Sequence, residues 1–219
     1  MPLEIIAAKA LEALEKVKEL AEATDAGKVT DAVKDLAQSP AVQERLDLPL
    51  EKFMTRETQV QEMTDLLKNV EGLKPQNWEK LNFQERVEVL REVEAKQAAL
   101  EGRVPTRIET EKMPEGALGR HVADTNTLYI NEALVRDRSP VLATNTVLHE
   151  GRHATQDHAV KSGVSVRHGA DVVSEWKQNF ERYISPMENF RRYWRQPIEV
   201  DARAYAGSIC EKLYGVRGV

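Results

Sequence analysis

The stretch from Ser139 to Gly163 does most to narrow what this chain can fold into. Ser139-Pro140 reads as a helix start, a capping residue followed by a proline whose missing N–H costs nothing in a first turn, and Gly163 reads as a stop. Between them Gly151 is the one breaker, and VLHEGRHATQDHAV (Val147 to Val160) holds three of the chain's five histidines. Residues i and i+4 share a helix face, so His149 and His153 present two imidazoles side by side. A glycine inside a helix costs about 1 kcal/mol relative to alanine. Gly151 therefore points to the close approach of another backbone or of a bound substrate, the alternative being a tolerated surface glycine.

The rest of the chain frames that helix. Ile5, Ile6, Leu11, Leu14, Val17 and Leu20 recur at helical spacing, and further helical stretches are expected over 28–37, 40–46 and 55–71. Thr55 caps the last of these and Gly72 follows it. GLKPQ (Gly72 to Gln76) reads as a linker, which divides the chain into an N-terminal helical region, 1–75, and a second domain, 76–219. Asn82 caps a helix over FQERVEVLREVEAKQAALEG. RIET (Arg107 to Thr110) and TLYIN (Thr127 to Asn131), separated by Pro- and Gly-containing turns, predict a small sheet. A last helix is expected from Pro197 to about Tyr214. Helices, a small sheet, then helices make the class α+β, mostly helical.

Charge and composition exclude several functions. Residues 1–75 carry ten basic against fifteen acidic side chains and residues 76–219 carry twenty-one of each, so neither half has the basic excess of a nucleic-acid binder. The one basic-aromatic cluster, RRYWR (Arg191 to Arg195), reads as a solvated helix face. No apolar run is long enough to span a membrane. MPLEIIAAKALEALEKVKEL is charged throughout and lacks a cationic leader, which predicts a product made in the cytoplasm without a signal peptide, exported only by a specialised system. A single cysteine, Cys210, leaves no internal disulfide and no thiolate cage, so a metal would be held by histidines and carboxylates.

His149-Glu150-Gly151-Arg152-His153 is an H-E-x-x-H pattern. About 0.01 such patterns are expected by chance in a chain of this composition. Two imidazoles on one helix face suit two ligands of a zinc ion with a position left for water, and Glu150 stands where it can take that water's proton. His158 points away from this face, His121 in GRHVAD reads as an ordinary loop histidine with lining of the cleft from the sheet as its alternative, and His168, beyond Gly163, is unassigned. A third histidine six residues after the second, the metzincin spacing, is absent, because that position is Ala159. The alternative is a carboxylate from QPIEVDARAYA (Gln196 to Ala206). Glu199 shares a face with Ala202 and Ala206, small residues that let two helices close. Its competing role is an i,i+4 ion pair with Arg203. Asp201 is the next candidate, as a ligand or as a partner that orients a histidine.

HEGRH followed by QPIEVDARAYA resembles the gluzincin branch of the zincin metallopeptidases. TLYIN, VLHEGRHATQ and YWRQPIEVDARAYA together resemble the metallopeptidase domains of bacterial polymorphic toxins and secreted effectors, over about residues 77–215. The resemblance implies a zincin-like domain at 76–219, zinc bound by His149, His153 and Glu199, Glu150 as base, and Leu128 to Asn131 as the cleft edge that pairs with an extended peptide. Two positions depart from the family: Arg152 is charged where uncharged residues are usual, and Arg203 stands where many gluzincins have aspartate. Tyr183, Tyr193 and Tyr205 are candidate donors to a developing oxyanion, with Tyr193 favoured because RRYWRQP leads into the Glu199 helix.

The expected activity is zinc-dependent peptide hydrolysis, possible in a toxin or effector setting with an immunity or delivery protein as partner besides the peptide or protein substrate. The competing expectations are a zincin-fold interaction protein without turnover and an amidase acting on cell-wall peptides.

Overall fold

The computed structural model describes residues 55–163, 165 and 167–216. The helices expected within 1–20, 28–37 and 40–46 lie outside the described residues. The chain divides between Lys52 and Phe53, and the described residues lie on the C-terminal side of that division.

Helix α1 (Arg56–Leu67) begins at Thr55, whose hydroxyl accepts the Thr58 N–H at 3.3 Å. The expected linker is not a break in the packing. It forms a 3-10 turn at Glu71–Leu73 and a short helix α2 (Pro75–Trp78), with Leu73 and Trp78 buried. Val60, Met63, Leu67 and Val70 join them in the main core. Residues expected to belong to an N-terminal region therefore complete the core of the C-terminal body, and the boundary expected at 75/76 is corrected accordingly. A proline and a glycine close together suggest a linker, but Pro75 sits in the first turn of α2, where proline is tolerated.

Helix α3 (Phe83–Glu101) opens with a reciprocal capping box. Asn82 Oδ1 accepts the Glu85 N–H at 3.0 Å, and Glu85 Oε2 accepts the Asn82 N–H at 2.8 Å. Gly102, at φ 67°, ends it in the left-handed region where glycine carries no Cβ penalty. Strands β1 (Arg107–Glu111), β2 (Gly119–Val122) and β3 (Thr127–Asn131) form one sheet in the order β1-β3-β2, with β1 parallel and β2 antiparallel to β3. A short helix α4 (Glu132–Arg136) leads into the 22-residue α5 (Val141–Ser162). Pro140 caps α5 rather than opening its first turn, and Ser139 Oγ accepts the Val141 N–H at 3.3 Å.

Two helices follow, α6 (Ala170–Glu181), without a counterpart in the sequence expectations, and α7 (Pro186–Trp194), of which only the RRYWR face was expected, and α8 (Pro197–Tyr214) comes last. Helix α5 is central, packed by α3, α6, α8 and strands β2 and β3. Leu128, Ile130, Val147, Leu148, Leu90, Ile209 and Cys210 fill the core between them. Ala202 and Ala206 are fully buried, which fits the expected close packing of α8 on the motif helix. A smaller cluster of Ala159, Trp176 and Ile198 fixes α6 across the end of α5 and the start of α8. The architecture is α+β, mostly helical, with one small sheet.

Candidate metal centre

His149 and His153 lie one turn apart on α5, with Nε2 atoms 3.1 Å apart and rings edge to face. Glu199 enters from the first turn of α8. Its Oε2 is 3.5 Å from His149 Nε2 and its Oε1 is 3.6 Å from His153 Nε2. The donor atoms of the three residues lie within 4.8 Å of one another. Zinc ligands at ~2.0–2.1 Å in a tetrahedron stand ~3.3–3.4 Å apart along its edges; the imidazole nitrogens are near that spacing, and the carboxylate spans them with one oxygen facing each ring at 3.5 Å and 3.6 Å. Glu199 is 2% exposed, and among the described residues its Oε2 has no hydrogen-bond partner. A buried carboxylate oxygen without a hydrogen-bond partner, beside two imidazole nitrogens, is a donor set that could hold a metal cation.

The charges are arranged consistently with this. Burial works against the Glu199 anion, yet the two histidines hold its carboxyl well below the usual carboxylate range. Burial disfavours a charged His153, but Glu199 and Glu150 outweigh it and raise the imidazole to about 9. Without a metal, a His153 proton thus balances Glu199. Arg203 approaches Glu199 Oε2 only to 3.7 Å. Its guanidinium instead donates to the Trp194 carbonyl and lies 3.7 Å over the Trp194 ring.

Glu150 follows His149 and is half-buried. Its charge acts on His121, His153, Tyr183 and Tyr193. Tyr183 donates to Glu199 Oε1 at 3.3 Å, and burial with the Glu199 charge pushes its phenol up. Tyr193 packs edge-on against Tyr183, 6.3 Å between centroids, and is pushed up for the same reasons. Both hold their protons across the physiological range. The third candidate, Tyr205, is buried with the Arg152 guanidinium over its ring and does not reach Glu199 through any described hydrogen bond. Beyond Tyr193, Phe190 and Trp194 continue a row of rings out to the surface, and Arg191, Arg192 and Arg195 are exposed, as a solvated face predicts.

Other expected residues fall elsewhere. Asp201 is no part of the cluster: it binds Arg152 through Nε at 2.7 Å and Nη2 at 3.2 Å. The unexpected charge between the histidines is thereby explained, because Arg152 points inward. It also meets Glu101 at 3.2 Å and Gln59 Oε1 at 2.9 Å, and lies over the rings of Trp176 and Tyr205. His168 packs on Trp176 and contacts Ser165 and Gln59, and His158 is exposed. Gly151 does answer to close approach, but by side chains of α3: a Cβ there would stand 2.5 Å from Gln97 Oε1 and 2.7 Å from Glu94 Oε2.

Two expectations about the cleft edge change. Strand β3 is paired on both sides and cannot take a peptide. The edge beside α5 is β2, where a Cβ on Gly119 would lie 3.5 Å from Glu150 Cγ. Asn131 N donates to Leu118 O at 2.9 Å. By the alternation of antiparallel pairs, the main-chain groups of Gly119 and His121 then face outward, away from β3. His121 is consequently a strand residue at the site rather than a loop histidine. Burial pulls its pKa down, and among the described residues its Nε2 has no hydrogen-bond partner. A place at the cleft is the alternative that His121 carried in the sequence, where GRHV, with one β-branched residue in four, gives little sign of a strand. No protein-family model matches the chain, and neither a curated protein nor a solved structure matches it.

Proposed function

We propose that this chain is a zinc-dependent peptidase with a gluzincin-like centre. The observation that carries the reading is the convergence of His149, His153 and Glu199, with donor atoms within 4.8 Å of one another, and the Glu150 carboxylate next in sequence to the first of them. A zinc ion there supplies Lewis acidity to a carbonyl and lowers the pKa of a water. The protein's part follows from its residues. Glu150 accepts the attacking water's proton and returns it to the leaving amine. Tyr183 and Tyr193, protonated and next to Glu199, offer donors to charge building on the carbonyl oxygen. The outward main-chain groups of Gly119 and His121 on β2 pair with an extended substrate, and His121 Nε2 supplies a further polar contact.

A strand-like substrate implies a peptide or unfolded protein segment. The resemblance of TLYIN, VLHEGRHATQ and YWRQPIEVDARAYA to polymorphic-toxin peptidases supports use as an effector against protein targets. No described helix is long and apolar enough to cross a membrane. The test is hydrolysis of unfolded protein and peptide libraries by zinc-loaded wild type and Glu150→Gln. The variant should keep its zinc and lose roughly 10²–10⁴ in rate. Equal hydrolysis by both, or none by a zinc-loaded wild type across such libraries, would overturn the peptidase reading.

A further inference from the structure

Gln156 lies on α5, three residues after His153, and is fully buried. Its amide spans two helices. Nε2 is 3.0 Å from the Ile198 carbonyl oxygen and 3.0 Å from Asp201 Oδ2, both on α8. Its other atom, Oε1, is 2.8 Å from His153 Nδ1. A carbonyl and a carboxylate can only accept, so the nitrogen end of this amide must face them. The orientation is thus set by chemistry, and the oxygen end must face His153. An amide oxygen only accepts, so His153 carries a proton on Nδ1 in either charge state, and in its neutral form turns the Nε2 lone pair towards His149 and Glu199. Asp201 is in turn held by both arms of Arg152, which neighbours His153 in sequence. The chain of contacts runs from the imidazole through Gln156 and Asp201 to Arg152, and returns to the residue before Glu199 through the Ile198 carbonyl.

We propose that Gln156 is the positioning residue of the metal centre, fixing the tautomer of His153 and, through Ile198 and Asp201, the placement of Glu199 opposite it. This rests on the metal-centre reading above. One side chain thereby couples the two helices that supply ligands. The Arg152–Asp201 pair keeps the carboxylate in place as the acceptor for Gln156, a role for the charged residue that interrupts the histidine pair.

The experiment joins zinc affinity by chelator competition to nitrogen-15 NMR of the histidine rings, on the full chain loaded with zinc. In the wild type His153 should bind through Nε2 and keep a proton on Nδ1 that exchanges slowly with water. Gln156→Met fills the space without an acceptor or a donor. It should weaken zinc binding about 10- to 100-fold and speed exchange of the Nδ1 proton, with the metal-free melting temperature reporting that the fold persists. Zinc affinity within twofold of wild type in a folded Gln156→Met overturns the proposal. The wild-type spectrum stands independently of how the variant folds: coordination through Nδ1 overturns it as well. A wild type that takes up no zinc overturns the metal-centre reading and this inference with it, whereas zinc uptake with the wrong ring nitrogen overturns this inference alone.

Discussion

Replacing Glu199 by alanine separates the two roles its position allows. As a ligand, Glu199 supplies one of three donors. Structural zinc sites with four ligands bind with about 10–16 kcal/mol, about 2.5–4 kcal/mol per ligand, so losing one weakens binding roughly 10²–10³-fold. In wild type with free zinc held a hundredfold above Kd, binding stabilises the fold by about 2.7 kcal/mol. For a domain of this size that raises the melting temperature by about 5–11 °C over protein in chelator. With Kd raised a hundredfold at the same zinc concentration, the stabilisation is about 0.4 kcal/mol and the shift about 1 °C. As an i,i+4 partner of Arg203 at 3.7 Å, Glu199 would contribute only about 0.3–0.5 kcal/mol, and the zinc-dependent shift would survive intact. The assay is thermal denaturation of wild type and Glu199→Ala, each with zinc and with chelator. A full zinc shift in the variant refutes the ligand assignment.

Three more outcomes follow from the geometry. Gly151→Ala should destabilise the metal-free protein by up to about 2 kcal/mol, because overpacking against Glu94 and Gln97 costs about 1–3 kcal/mol and is offset by only about 1 kcal/mol of gained helix propensity. A denaturation midpoint above wild type would contradict the close approach. A chain beginning at residue 77 should fail to fold, since it lacks Val60, Met63, Leu67, Val70 and Leu73, whose burial is worth on the order of 10 kcal/mol against a total stability of about 5–15 kcal/mol. A soluble, cooperatively melting fragment would restore the boundary at the GLKPQ segment. In chelator, the melting temperature should fall as pH rises from 6.5 to about 9. The His153 pKa is raised from 6.5 to about 9, so its contribution is complete below the unfolded value and lost as pH passes the folded one. Zinc uptake must displace that proton, so zinc affinity should strengthen over the same interval; titrations at several pH values would expose the opposite trend.

The parts legible in the sequence are those with a local cause. The caps at Thr55 and Asn82, the run ending at Gly163 and the i,i+4 histidines each depend on neighbours within a turn or two. Glu199 was reachable because Ala202 and Ala206 mark a face that can pack tightly. The missed elements depend on distant partners. Strand β2 is four residues with a glycine and two charged or titratable side chains, and only its pairing with β3 makes it a strand. That pairing moves β3 from the edge to the middle of the sheet. Helix α6 covers the end of α5 with Trp176, and its apolar spacing of Val172, Val173, Trp176 and Phe180 was available to a closer reading. Helix α7 carried a plain signal in Ser185-Pro186 and Glu188, which form a capping box. The inward turn of Arg152 could not be read locally, because its partners Asp201, Glu101 and Gln59 lie 49, 51 and 93 residues away.

If His149, His153 and Glu199 form one zinc site, elemental analysis of the purified full chain, before and after dialysis against zinc, should find about one zinc per chain. That zinc should be retained by Glu150→Gln and lost from His149→Ala and His153→Ala. A wild type that holds no zinc and takes up none, or a stoichiometry unchanged in the two histidine variants, would contradict that assignment.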